Sequence, residues 1–262
     1  LVVGLAGKSV NCRYNEANRA EIFRSRLDTT AQLSDAIAAA TAPPPLWVNS
    51  STATIYRHAE DRAMTEATGE IGTGFSVEVA RAWERALFAA ELPSTRRVAL
   101  RSAIVLGDGG VLGPIKTLAR LGLGGAQHDG RWPVTKARVD AGTAHYLGAR
   151  RGAQRFSWVH IEDIARILDF VEIHPELDGP VNASAPNPSD NRNFMASVRR
   201  VLGTPFGPPM PRWMLEIGAI GIRTETELVL KSRWVLPEKL QAAGFEFTHP
   251  DLEPALRGIW GR

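Results

Sequence analysis

Cysteine is almost absent from this sequence: Cys12 is the only one in 262 residues. A single thiol excludes any disulfide within the chain and any zinc cluster built on several thiolates. It fits a reducing compartment, so a cytoplasmic protein is expected. Long apolar runs are lacking as well. Nothing approaches the roughly 20 residues of a membrane span, and Leu1-Val2-Val3-Gly4-Leu5 is too short and too poorly flanked for a signal peptide. Charge of one sign is scarce: Lys and Arg number 31 against 28 Asp and Glu, a net +3. So small an excess does not imply nucleic acid unless the basic residues cluster on one face, and no aromatic interleaving of a base-stacking kind accompanies them. What remains, 44% hydrophobic and 23% charged residues, is the composition of a packed globular protein with a core of its own.

The apolar residues that are present fall in alternating short runs and helical stripes. Leu1–Leu5 reads as a buried strand entering a glycine turn at Ala6-Gly7. A long helix over 16–40 places Phe23, Leu27, Thr30, Leu33 and Ile37 on one face, and Pro43-Pro44-Pro45 stops it. Leu46–Ser50 is a second strand. A helix over 77–91 carries Val79, Trp83 and Leu87 at i, i+4 and i+8, and Val98–Leu106 is a third buried strand. Strand, helix, strand, helix, strand with near-continuous apolar strands predicts a parallel sheet flanked by helices. The second half is more broken. It holds helices over 162–174, 191–202, 237–243 and 251–259 and a short strand Val181-Asn182-Ala183, with Gly244 placed as a left-handed cap. Between the halves lies a basic stretch, Arg131, Lys136, Arg138, Arg150, Arg151 and Arg155, opposed only by Asp140. It reads as a solvated surface insertion or, alternatively, as a lid that draws in a phosphate-bearing substrate.

Three stretches, in order, carry a resemblance: Val2-Val3-Gly4-Leu5-Ala6-Gly7-Lys8, Ser50-Ser51-Thr52-Ala53-Thr54-Ile55-Tyr56, and Phe156-Ser157-Trp158-Val159-His160-Ile161-Glu162-Asp163-Ile164-Ala165. They resemble the extended short-chain dehydrogenase/reductase superfamily, which contains the nucleotide-sugar epimerases. Asn11–Tyr14, Leu100–Gly107, Ala183–Pro188 and Arg233–Pro237 narrow the resemblance to its atypical branch, the NAD-dependent epimerase/dehydratase-like "epimerase family" proteins. The resemblance implies an α/β Rossmann-type, doubly wound parallel sheet. Residues 1–120 would be the C-terminal part of the NAD(P)-binding domain, and 121–262 a mixed region completing the sheet and forming the substrate domain. The cofactor would be NAD or NADP and the substrate a nucleotide sugar, with neither nucleic acid nor membrane as partner. Helices 16–40 and 77–91 correspond to the superfamily's four-helix homodimer interface.

Two further absences stand out against that background. No G-x-G-x-x-G turn is present to hold a pyrophosphate; Gly107–Gly113 has the wrong spacing. If Leu1 opens the superfamily's fourth strand, two βα units and a strand, about 60 residues, precede it in relatives. Leu1 then marks the expected cut, and dinucleotide binding by this chain is expected to be weak or lost. The second absence is the Tyr-x-x-x-Lys dyad: Ser76 and Ala80 stand at its positions when Glu84 is matched to the glutamate of that helix.

Candidate site residues follow from the strand ends. The resemblance puts the cofactor against Gly7, Lys8, Ser51, Ser102 and Ala103. Gly7 lets a ligand approach the backbone or simply turns the strand end. Thr52 matches the catalytic Ser/Thr, since a hydroxyl both donates to and accepts from an alcohol becoming a ketone; it could equally form a local turn. Tyr56, close to Thr52, is a candidate acid, with packing as its commoner role. Asn182, Asn187 and Arg192 fall where relatives contact the substrate's nucleotide. No metal site is expected. The expected function is NAD(P)-dependent epimerase or oxidoreductase chemistry by hydride transfer. The alternative is a dinucleotide-binding regulatory or interaction protein with impaired catalysis.

Overall fold

Each apolar run of the first half becomes a strand, and each amphipathic stripe a helix laid across it. In a computed structural model, residues 1–130, 132–140, 151–221 and 225–261 are described. The elements in chain order are β1 (Val2–Gly4), α1 (Glu16–Ala39), β2 (Leu46–Thr52), a 3-10 turn (Ala53–Ile55), α2 (Phe75–Ala89), β3 (Arg96–Ser102) and β4 (Ile104–Leu106). There follow α3 (Leu112–Arg120), α4 (Lys136–Asp140), β5 (Arg155–Phe156), β6 (Trp158–His160), α5 (Ile161–Ile173), β7 (Gly179–Ala183) and β8 (Ser189–Asp190). The chain closes with α6 (Asn191–Leu202), α7 (Arg212–Gly221), α8 (Glu227–Leu230), α9 (Glu238–Ala242) and α10 (Leu252–Trp260).

The main sheet is fully parallel in the order β1-β2-β3-β7, as the alternation of strands and helices predicts. Side chains alternate across it. Trp47 and Ala99 face Ile37 of α1 and Leu87 of α2. Leu46, Val48, Val98, Leu100 and Val181 face Ile167 and Val171 of α5 and Leu240 of α9. The result is three layers, helices on both faces of a sheet whose central strands are largely buried. A second core gathers α3, α6 and α10 around Trp158, Phe194 and Leu256. Among the described residues no helix is long and apolar enough to cross a membrane.

Two local expectations are corrected. Val98–Leu106 is not one strand. Ala103 N–H donates to Ala183 O at 2.9 Å, the last bond of the main sheet on this edge. Ile104 N–H then donates to Ser157 O at 3.3 Å, and β4 departs to pair with β6. On α1 the expected face is only partly sealed. Thr30 and Ile37 are buried, with Ile22 and Ser34 beside them, while Phe23, Leu27 and Leu33 are only partly covered. Thr30 meets α2, where Trp83 Nε1 donates to Thr30 Oγ1 at 3.0 Å. Other boundaries follow local chemistry. Asp190 caps α6 through Asn193 N–H (2.7 Å), and Gly203, at φ +68°, closes it. Gly244 takes φ +87° after α9, as its position predicts.

The layer arrangement sets an expected contrast within one helix. Ile167→Ala removes a fully buried side chain and is expected to cost about 2–5 kcal/mol. Ile173→Ala, at 74% exposure, should stay within about 0.5 kcal/mol of wild type. Urea unfolding of both variants measures the difference.

Candidate active site

A parallel sheet leaves its loops and helix N-termini at the carboxyl ends of the strands, and ligands collect there. Here the ends of β1 and β2, with Ile22 and Arg26 of α1 and the stretch of α2 from Phe75 to Trp83, border a cleft of about 210 Å³. Gly7, Ser50, Ser51, Thr52, Thr54 and Ser76 supply backbone and hydroxyl groups; Tyr14, Ile22, Phe75 and Trp83 form the apolar wall, and Arg26 is the cation. No carboxylate lines it. Arg26 Nη1 donates to Lys8 O (3.0 Å) and Ile22 O (3.1 Å), and its guanidinium lies 4.9 Å over the Trp83 ring.

Beneath the cleft runs a chain of buried polar groups. Arg101 donates from Nε and Nη2 to the two carboxylate oxygens of Glu84 at 2.8 and 2.7 Å. Ser51 Oγ donates to the same Glu84 at 2.7 Å. Arg101 Nη1 donates to Tyr56 OH (2.8 Å), which donates to Asn182 Oδ1 (2.9 Å), and Asn182 Nδ2 reaches Leu236 O (3.0 Å). Burial pushes the Tyr56 phenol above its ordinary value against the pull of Arg101.

The structure brings Gly7, Ser51 and Thr52 together at the cleft. Thr52 Oγ1 accepts from Thr54 N–H at 3.1 Å, the local turn weighed as its simpler role. That bond uses one lone pair and leaves the O–H able to donate. Lys8 sits beside the cleft, its N–H on Ser25 Oγ at 2.9 Å. Ser102 and Ala103 end β3 away from the lining, Ala103 buried in the core. Tyr56 and Asn182 are both buried and committed to the network below. Asn187 bonds Asp251 (2.9 Å), and Arg192 grips Arg151 O from Nε (3.0 Å) and Nη2 (2.8 Å); neither lines the cleft. Of the basic stretch, Arg131 and Arg150 lie outside the described residues. Lys136 pairs with Asp140 (2.8 Å), Arg138 with Glu225 (3.0 Å), and Arg155 stacks over Trp234 (4.2 Å).

Sequence reasoning missed Tyr14, Arg26 and Lys231. Tyr14 was legible only as part of the Asn11–Tyr14 stretch, and Arg26 only as a residue one turn beyond Ile22. Lys231 arrives from far along the chain to donate to Thr54 O at 2.7 Å. Its amine is pushed down to about 8 by burial, with Arg233 adding to the shift. Burial pushes the Tyr14 phenol up to about 12.

Two expectations follow. Glu84→Gln leaves the Arg101 cation buried without its counter-charge and should lower stability by about 3 kcal/mol in urea unfolding. For Lys231, the unfolded amine (10.5) still holds its proton above about pH 8, where the folded one has released it. Stability therefore gains a rising component between pH 8 and 10.5. Tyr14 ionises first in the unfolded chain, near 10 against about 12 when folded, and turns the curve down above pH 10. Unfolding at pH 7, 8, 9 and 10 should show the rise in wild type and its absence in Lys231→Met.

Comparison with known proteins places this architecture. Residues 210–259 match a domain of unknown function, DUF1731. The chain is 32% identical over 264 residues to the epimerase family protein SDR39U1 of Bos taurus, covering 98% of this chain and 81% of that protein. The crystal structure of human epimerase family protein SDR39U1 (isoform 2) with NADPH superposes with a TM-score of 0.82 at 29% identity, over 99% of this chain and 81% of that one. A nucleoside-diphosphate sugar epimerase from Corynebacterium glutamicum gives a TM-score of 0.70 at 25% identity, over 99% of this chain and 45% of that one. The strand order, the cleft at the strand ends and these likenesses agree with the motifs: the chain belongs to the epimerase family proteins, an atypical branch of the extended short-chain dehydrogenases/reductases.

Proposed function

We propose that this chain holds the nicotinamide end of NAD or NADP and a nucleotide-sugar substrate for epimerase or oxidoreductase chemistry by hydride transfer. The carrying observation is the cleft that joins Gly7, Ser51 and Thr52 at the ends of β1 and β2. The NADPH in the human SDR39U1 structure and the sugar-nucleotide activity in the name of the Corynebacterium relative support the reading. The cleft fits one end of a dinucleotide. Its volume of about 210 Å³ is below the roughly 300–1,000 Å³ of pockets that swallow a whole drug-sized ligand, and no lining carboxylate repels a phosphate. A bound nicotinamide supplies two-electron hydride exchange.

The chain's own residues do the rest. Gly7 and Ser51 present backbone groups to the ribose side, the Ser51 hydroxyl being held by Glu84, with Lys8, Ser102 and Ala103 at the neighbouring strand ends. Thr52, its rotamer fixed by Thr54 N–H, turns its O–H to the substrate oxygen. We assign Tyr56 to positioning, because its hydroxyl is already bonded to Arg101 and Asn182. Asn182 shares that role, and Asn187 and Arg192 face the nucleotide end. Residues 1–120 form the cofactor side and 121–262 complete the sheet and the substrate side, with α1 and α2 as the homodimer face of a cytoplasmic protein. A second reading, a dinucleotide-binding regulatory protein without turnover, is favoured by Ser76 and Ala80 at the dyad positions.

Calorimetry with NADPH on the 262-residue chain should give weak binding, because it contains no G-x-G-x-x-G turn; micromolar affinity would reject that expectation. At saturating NAD+ or NADP+, nicotinamide absorbance with a panel of UDP-hexoses should report turnover, and Thr52→Ala should lower kcat about a hundredfold with cofactor affinity unchanged. Unchanged turnover in Thr52→Ala removes Thr52 from the chemistry. NADPH binding with no turnover on the panel selects the second reading.

A further inference from the structure

The carboxyl end of β6 carries a second constellation, none of whose residues lines the cleft. His160 ends β6 and caps α5: its Nδ1 accepts from Glu162 N–H at 3.2 Å, and it is buried. Glu162 follows in the first helical turn with its side chain largely in solvent. His249 comes from the loop before α10. Its ring stacks on that of His160 with centroids 3.7 Å apart, and its Nε2 is 2.7 Å from Glu162 Oε2.

The loop carrying His249 is clamped there. Asp163, fully buried, accepts Thr248 N–H on Oδ1 (2.9 Å) and His249 N–H on Oδ2 (3.0 Å). Arg166 Nη1 braces the same loop through Glu246 O (2.7 Å) and Thr248 Oγ1 (2.5 Å). Two segments more than 80 residues apart are thus locked so that two imidazoles and a carboxylate converge.

We propose that His160, Glu162 and His249 form a site for one divalent transition-metal ion of the zinc class. One ligand atom from each of the three side chains lies within 4.8 Å of the other two, and we assign these as His160 Nδ1, Glu162 Oε2 and His249 Nε2. Metal–ligand bonds of about 2.0–2.2 Å in tetrahedral geometry set ligand atoms roughly 3.3 Å apart. The separations from Glu162 Oε2, 2.7 Å to His249 and 3.8 Å to His160, bracket that value, and the solvent-facing Glu162 is free to rotate and even them out. His160 Nδ1 exchanges its hydrogen bond to the Glu162 N–H for the metal, and its proton then sits on Nε2. His249 Nε2 ligates in its unprotonated form. The fourth position faces solvent. Two imidazoles with one carboxylate suit zinc, nickel or copper, whereas magnesium and calcium require oxygen ligands.

The test is calorimetry of ZnCl2 with the full 262-residue protein after chelator treatment, in a non-coordinating buffer. One equivalent should bind, with no heat from MgCl2 at the same concentration. His249→Ala and Glu162→Gln should each weaken zinc at least about tenfold. His174→Ala should leave it unchanged, although His174 and Glu176 form a pair of the same spacing at 2.7 Å. Metal-free melting curves verify that the variants fold. The visible spectrum of the Co2+-loaded wild-type protein, which needs no variant, should show four-coordinate N/O ligation. No zinc binding by wild type overturns the proposal. So does affinity retained in both His249→Ala and Glu162→Gln, or lost equally in His174→Ala; the constellation is then a histidine–glutamate ion pair.

Discussion

The candidate site rests on one buried ion pair, Arg101 with Glu84. Each charge loses its water on entering the protein, and only close, two-point geometry with further hydrogen bonds compensates that loss. Glu84 meets the condition by accepting from Arg101 twice and from Ser51 once. Arg101 meets it by spending its remaining nitrogen on Tyr56. The four residues sit on α2, β3, β2 and the segment after the 3-10 turn, and Asn182 adds β7. A single polar chain therefore fixes α2 against three neighbouring strands directly below the cleft. Thr52 inherits its position from that framework, since Ser51, the residue before it, is tied into the chain.

This dependence explains why a phenol and an amide with active-site chemistry are found under the floor. A buried Tyr hydroxyl must find partners, and Arg101 and Asn182 provide both an incoming and an outgoing bond. Satisfied networks of this kind specify one arrangement of their elements, and a half-satisfied one costs more than an apolar core. The pattern Ser-Ser-Thr-Ala-Thr-Ile-Tyr thus has two faces. Ser51 and Tyr56 look down into the network, and Thr52 looks out.

What the sequence made legible was local. The parallel sheet, the helix over 191–202 and the stripe Val79, Trp83, Leu87 all follow from periodicity and capping, because one segment carries the whole signal. The break at Ala103 was not legible: Val98–Leu106 is apolar apart from Arg101 and Ser102, and only the bonds of Ala103 to Ala183 and of Ile104 to Ser157 divide it. Glu84 was visible as a helix glutamate, but nothing in the chain names Arg101 as its partner. Lys231 lies 177 residues from Thr54, and no spacing rule connects such residues. His160 and His249, 89 positions apart in the numbering, are hidden for the same reason.

The absent dyad changes the proton chemistry open to the cleft. In a Tyr/Lys dyad the lysine lowers the phenol towards working pH. Here Tyr14, which lines the cleft beside Ser76, is pushed up to about 12 by burial, so it stays protonated and does not serve as a base near neutral pH. Arg26 remains a cation and offers no lone pair. Lys231 is pushed down to about 8, yet its Nζ is turned to Thr54 O. A hydroxyl held by Thr52 would therefore be oriented by donors without meeting a ready acceptor for its proton. Oxidation of an alcohol requires that proton to leave, whereas reduction of a ketone needs one supplied. On the proposed reading both directions therefore need a proton carrier, such as water, beyond the groups that line this cleft.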